Sequence, residues 1–272
     1  MYSGTTFTNL SGNLLGVHQK INRSAHRALA EISSVQNFPP VKQINHFEGK
    51  NGPDGIKSKS AGQDEPWHFY DPYDPEDTGL IDIINEHYGL LVEHLKKQNS
   101  EKAAFEAAWL SHALVDGLTP AHHYPYEEEL ERIRGAGRET RNTIKDKLVV
   151  KGGTKREVLK KNWLVWGAKG LITTHGLFEA GVATILAPVK IRNYVPSEKE
   201  LAEAKKLGLA ELFARAARQV AGEFAYDEFY RKGWTPSLAS WIRSDLAPLI
   251  TRVVAMAWYM ALKEAGMANK PD

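Results

Sequence analysis

The sequence predicts an all-α protein built as a multi-helix bundle. Three observations carry that prediction. Apolar residues recur at helical spacing in segment after segment, strand-like alternation is scarce, and the periodic runs are closed off by Gly, Pro and short capping residues. A chain of 272 residues with no internal repeat is long enough for one large core, so residues 1–272 are read as a single domain.

The first helix spans 13 to 33, where Leu14, Leu15, Ile21, Ala25, Leu29 and Ile32 share a face and carry His18 and His26 with them. From Ser33 to about Gly79 the composition turns to Pro, Gly, Asn, Asp and Ser, with Pro39-Pro40, Gly52-Pro53-Asp54-Gly55 and Asp71-Pro72-Tyr73-Asp74-Pro75 as breakers. Trp67, Phe69, Tyr70 and Tyr73 argue against disorder there, so this stretch is expected to be a long loop laid over the site. Helices follow at Asp77 to Lys97 and from Ser100 through Trp109 to Asp116, where Gly117 and Pro120 interrupt. Glu127 to Arg134 and Arg138 to Val149 are charge runs of the kind that form solvated faces, and His87 and His94 are expected at the surface. Lys155 to Ala187 is one long helical pattern with bends available at Gly167, Gly170 or Gly176, stopped by Pro188. Segments 197 to 231 and 235 to 266 complete the scaffold.

Composition excludes several functions. The net charge is only +2 and lysine and arginine are interspersed with acids, which leaves no footprint for duplex nucleic acid. With no cysteine, any metal must be held by His, Asp, Glu or backbone groups. The most apolar run, Leu246 to Leu262, contains Arg252 and is shorter than the roughly 20 residues a bilayer span needs, so any membrane contact is expected to be peripheral. The first residues lack the basic start and apolar centre of a leader. The expectation is a cytoplasmic chain, or a secreted one whose leader has been removed.

The chemistry concentrates in Trp109-Leu110-Ser111-His112-Ala113-Leu114-Val115-Asp116-Gly117-Leu118-Thr119-Pro120-Ala121-His122-His123. His112 and Asp116 stand one helical turn apart on one face, and the break at Gly117 and Pro120 lets His122 return to the same volume. His175 and Glu179 repeat the one-turn spacing on another apolar helix. Neutral imidazole with carboxylate suits a divalent cation such as zinc; each pair taken singly also reads as an ordinary polar helical pair.

Set in order, His68-Phe69-Tyr70-Asp71-Pro72, then His112-x-x-x-Asp116-x-x-x-x-x-His122, then His175-x-x-x-Glu179 resembles the zinc-dependent bacterial phospholipase C family, which shares its fold with single-strand-specific fungal nucleases. The resemblance covers the chain up to about residue 180. It implies an α-helical bundle of that type, a long loop over the metal cleft, and two or three zinc ions. Carried over by position, Asp54, fourteen residues before His68, would join His68, His112 and Asp116 around one zinc, with Asp116 bridging to another. His122, His175 and Glu179 would hold a second. Asp54 would also orient or deprotonate the attacking water. In the family a third zinc takes the amino group and carbonyl of an N-terminal Trp and a His of the first helix. Here the chain starts Met1-Tyr2, and His18, with His26 as alternative, matches that His. His46 and His123 are conceivable substitutes in that site, and Asp64 is a weaker rival to Asp54.

The activity this implies is phosphodiester hydrolysis, with a phospholipid as the favoured substrate, cut to diacylglycerol and a phosphorylated head group. Glu179 at the last ligand position and the His-Phe-Tyr-Asp-Pro run favour the lipase branch. The alternatives are a single-strand nuclease or nucleotidase, and a non-catalytic relative stabilised by zinc.

Overall fold

The computed structural model describes residues 1–4 and 11–268. After a single turn, α1 (Ser11–Leu14), the chain enters α2 (Val17–Ile32), whose face of Val17, His18, Ile21, Ala25, Ala28 and Leu29 is buried and carries His18 inward. The expected loop over residues 33–79 is more structured than its composition suggested. It holds α3 (Val41–His46), α4 (Pro53–Lys57) and two 3-10 turns. Pro40 and Pro53 initiate helices here rather than merely breaking them, because a proline's fixed φ suits the first turn, where its missing N–H has no partner to lose.

Next come α5 (Gly79–Lys96) and α6 (Ser100–Gly117), joined by a tight connection in which Gln98 is left-handed (φ 54°) and the Asn99 side chain caps α6 through the Lys102 N–H. After α6 come α7 (Tyr126–Arg134), α8 (Ile144–Leu148), α9 (Lys155–Trp166), α10 (Leu171–Leu186), α11 (Glu198–Leu207), α12 (Leu209–Ala221), α13 (Ala225–Lys232), α14 (Pro236–Trp241) and α15 (Ala247–Glu264). Among the described residues there is no strand, so the all-α bundle stands.

Of three expected long helices, two divide and one is distorted, each for a local reason. The 155–187 pattern breaks at Gly167 and Gly170 and continues through Gly176. A Cβ on Gly167 would sit 2.5 Å from the Trp163 carbonyl oxygen, whereas Gly176 has open space. The 197–231 pattern breaks at Gly208, whose φ of +78° favours glycine, and again at Phe224, left-handed at φ 50°. From 236 to 264 the helix is continuous but passes through a π-helical turn at Ile242–Leu246, just before Pro248 withdraws an N–H from the ladder. This 29-residue helix is long and apolar enough to cross a bilayer, a correction to the shorter run counted in the sequence. Yet 72% of its apolar window is buried inside the bundle, as expected of a core helix.

The core forms where α15 lies against α2, α5 and α6. Trp258 is fully buried there, with its indole N–H donating to the Ala107 carbonyl at 3.2 Å. Burial of each such large side chain contributes on the order of 1.5–3 kcal/mol. α6 is consequently surrounded along its C-terminal half, and a polar face placed there must be satisfied internally. The charge run after Glu127 is not wholly solvated: Arg141 is buried against Glu127.

Candidate metal centre

The C-terminal turn of α6 buries His112 and Asp116 on one face. Helix α6 ends at Gly117, Thr119 is extended, and Pro120–His123 forms a 3-10 turn that swings His122 back toward Asp116. The return is fixed by two bonds to the 68–70 segment. The Tyr70 N–H donates to the His122 carbonyl at 3.0 Å, and the His122 Nδ1–H to the His68 carbonyl at 2.9 Å. α10 presents His175 and Glu179 from the opposite side, with both His175 Nε2 (3.2 Å) and His122 Nε2 (3.0 Å) on Glu179 Oε1. α2 brings His18, stacked on His112 with ring centroids 4.3 Å apart.

Ligand atoms of His18, His112 and Asp116 lie within 4.8 Å of one another, as do those of His122, His175 and Glu179. Two groups, one buried and one partly buried, could therefore each hold a metal ion. Asp116 joins them: its Oδ1 is 3.2 Å from His18 Nε2, and its Oδ2 is 3.2 Å from His112 Nε2 and 3.9 Å from His122 Nδ1. Asp54, a quarter exposed, reaches 3.9 Å from His112 Nε2.

The hydrogen bonds behind the rings decide what the rings offer in front. A carbonyl can only accept, so His122 on the His68 carbonyl and His68 on the Pro66 carbonyl (2.9 Å) must each donate from Nδ1. When neutral, each then presents an Nε2 lone pair. His112 likewise places Nδ1 3.2 Å from Glu48 Oε2, and Glu48 is a fully buried carboxylate. Lone pairs on His112 and His122 therefore face carboxylate oxygens at 3.0–3.2 Å. Acceptor against acceptor is stable only with a proton or a metal cation between them, and pinning Nδ1 to a second partner is how ligand histidines are oriented. The donor set fits zinc, with no thiolate required.

Protons supply the positive charge otherwise. The Met1 amino group is buried 2.6 Å from Asp116 Oδ1 and 3.3 Å from Glu179 Oε1, and the Met1 carbonyl is 2.6 Å from His18 Nε2. Burial works against the ammonium, yet Asp116 and Glu179 raise its pKa to about 10. For Asp116, burial opposes the charge, but the Met1 ammonium, His122, His112 and His18 hold the carboxyl well below the usual carboxylate range. Glu179 is lowered for the same reason, through the Met1 ammonium and His175. At His112, burial disfavours the imidazolium and is outweighed by Asp116 and Glu48, so its pKa is raised. His68 is driven down, by burial first and then by Lys57 and His122.

A cleft of about 420 Å³ opens beside this centre, lined by Asp54, Lys57, Trp67, His68, His87, Trp109 and His112 among others. Lys57, one turn after Asp54 on α4, puts its ammonium 2.7 Å from His68 Nε2.

Of the expected residues, His18, His112, Asp116, His122, His175 and Glu179 are brought together, with Asp54 at the rim. His68 lies at the cleft with its Nε2 on Lys57 rather than within either close group. The alternatives fall elsewhere. His26 bonds the Pro39 carbonyl beside Phe38, His46 is exposed at the end of α3, and His123 turns away to the Gly117 carbonyl at 2.8 Å. Asp64 is exposed on the cleft wall. His87, expected at the surface, is partly buried, with Nδ1 2.7 Å from Glu106. Sequence reasoning missed Glu48 and Lys57, and of these only Lys57 carried a signal, its one-turn spacing from Asp54. The Met1 amine and carbonyl lie where the resemblance expects those of an N-terminal Trp. No protein-family model matches the chain, and no curated protein matches it.

Proposed function

We propose that the chain is a zinc-dependent phosphodiester hydrolase, with phospholipase C chemistry as the leading form. The observation that carries this is that His112 and His122 each have Nδ1 pinned to a second partner, so that their Nε2 lone pairs face the carboxylates of Asp116 and Glu179 beside an open cleft. The order of the ligand motifs, similar to that of the bacterial phospholipases C, supports it.

His18, Asp116 and the Met1 amine and carbonyl would hold one ion where the chain begins at Met1, and His122, His175 and Glu179 another. Asp54, His68, His112 and Asp116 would hold one more after Lys57 releases His68. Zinc bound there supplies Lewis-acid stabilisation of phosphoryl oxygens and lowers the pKa of water toward neutrality. The chain's own groups do the rest. Asp54, at the rim and in contact with solvent, orients the attacking water and accepts its proton. Lys57 supplies an ammonium for a non-bridging phosphate oxygen, and Trp67 and Trp109 shield the scissile group from bulk water.

The same tryptophans favour a second reading, because bases of single-stranded nucleic acid stack on such walls. The test is to load the full chain with zinc, count the metal by mass spectrometry, and offer phosphatidylcholine micelles and single-stranded DNA, before and after chelation. Phosphocholine release that chelation abolishes and Asp116→Asn removes is expected. Nucleotide release alone would assign the nuclease branch. Bound zinc with no cleavage of either ester would leave a structural metal protein.

A further inference from the structure

Helix α9 wears its apolar residues on the outside. Leu159 is 71% and Trp163 66% exposed, and one turn on, Trp166 is 41% exposed. These three stand at i, i+4 and i+7, so they form one solvent-facing stripe. The opposite side of the helix packs inward through Val165 against Leu130, Ile133 and Val150. Trp166 donates its indole N–H to the Leu148 carbonyl at 2.8 Å, which brings the exposed Leu148 and Val149 alongside the stripe. A water-facing apolar stripe on a helix that already has a packed inner face serves no purpose in the fold and marks an interaction surface.

Charge identifies the partner. Residues 144–169 contain eight lysines and arginines against two acidic residues, while the whole chain has a net charge of only +2. Lys147, Lys151 and Lys161 are paired with Glu65, Asp146 and Glu157. Lys145, Lys155, Arg156, Lys160 and Lys169 have no carboxylate partner among the described residues. Exposed Trp and Leu bordered by unpaired lysines are the composition of a helix lying in a membrane interface, the rings at head-group depth and the ammonium groups on lipid phosphates. Single-stranded nucleic acid would use the tryptophans and lysines but has no use for the exposed aliphatic side chains, which favours lipid.

The geometry points to the outer face of α9, with the adjoining 144–151 segment, as a docking surface for an anionic lipid bilayer. Through the turn at Gly167–Gly170, α9 is continuous with α10, which carries His175 and Glu179, so docking would fix the orientation of the metal centre on the membrane. The inference goes beyond the hydrolase reading and stands without it, because its readout is binding.

The test sediments the full chain with vesicles of phosphatidylcholine alone and of phosphatidylcholine mixed with phosphatidylglycerol, at low and high salt. Tight binding to the mixed vesicles, weakened by salt, is expected, with indole fluorescence quenched by brominated acyl chains. The double variant Leu159→Ser, Trp163→Ser should bind roughly tenfold or more weakly, while keeping the wild-type melting curve and its hydrolysis of a soluble short-chain ester. Wild-type protein that ignores anionic vesicles, or a double variant that binds them equally well, would overturn the proposal. So would an oligonucleotide that displaces the vesicles, or a wild-type dimer that the double variant dissolves, since either assigns the face to another partner.

Discussion

Replacing Glu48 with Gln isolates the second partner behind the candidate ligand histidines. Glu48 is fully buried, with Oε2 3.2 Å from His112 Nδ1 and Oε1 3.8 Å from His18 Nδ1. At that distance the two are not hydrogen-bonded, and neither that Oε1 nor that Nδ1 has a hydrogen-bond partner. His18 Nε2 faces the Met1 carbonyl and donates to it; a cation that takes both Nε2 lone pairs beside Asp116 would move that proton to Nδ1, and a carboxylate can accept from both rings in that form. A glutamine of the same shape accepts from one ring only and presents an N–H to the other. That ring must move its proton to Nε2 or leave a buried donor unpaired, at about 1–3 kcal/mol. The first course withdraws a lone pair from the cluster, and the second sets the cost of the unpaired donor against metal binding. Loss of an orienting partner of this kind lowers metal affinity about 10–100-fold. The assay is competition with a chromophoric zinc chelator, paired with long-range nitrogen NMR of the imidazole tautomers. Glu48→Asp is the conservative rescue, and a thermal melt is the control for folding. A folded Glu48→Gln protein that holds zinc with wild-type stoichiometry and affinity, both rings still protonated on Nδ1, would refute the reasoning.

His123 gives a pH prediction. Burial lowers its pKa to about 4, against the partial support of the Gly117 carbonyl. Between that value and the unfolded value of about 6.5, the unfolded chain binds the extra proton. Stability is therefore intact above pH ~6.5 and falls with acidification by up to about 1.4 kcal/mol per pH unit. Urea melts of metal-free protein should show this component missing from His123→Gln, and parallel slopes for the two proteins would contradict it. At Gly117 a Cβ would sit 2.5 Å from Leu80 Cδ2 and 2.6 Å from Phe213 Cζ, so Gly117→Ala overpacks the floor beneath Asp116. A cost of about 1–3 kcal/mol, seen as a melting temperature several degrees lower, is expected; an unchanged melt would show that Leu80 and Phe213 yield freely.

What the sequence disclosed and what it withheld follow from how far each constraint reaches along the chain. His112 with Asp116 and His175 with Glu179 were legible because one helical turn is a local rule, and the Gly117–Pro120 break announced the return of His122. His18 could be preferred to His26 only by its place in the resemblance, since both ride on α2. The choice is made by what faces each ring, Met1 and Asp116 for one and Pro39 for the other. Glu48 left no trace. It lies between α3 and a 3-10 turn, with no periodicity to place it, and meets His18 and His112 only through the packing of α2, α3 and α6. The polar chain Ser111–Asn22–Asn45, which ties those three helices together beneath the site, was invisible for the same reason. The α9 stripe was concealed in the opposite way: read as a sequence, Leu159, Trp163 and Trp166 are an ordinary core face. Only the position of Val165, packed inward while they point out, shows that the helix has two apolar sides and that the fold consumes one of them. Local spacing thus reveals candidate ligands that share a helix, whereas orienting groups and candidate binding faces become visible only once it is known which surfaces the bundle has already covered.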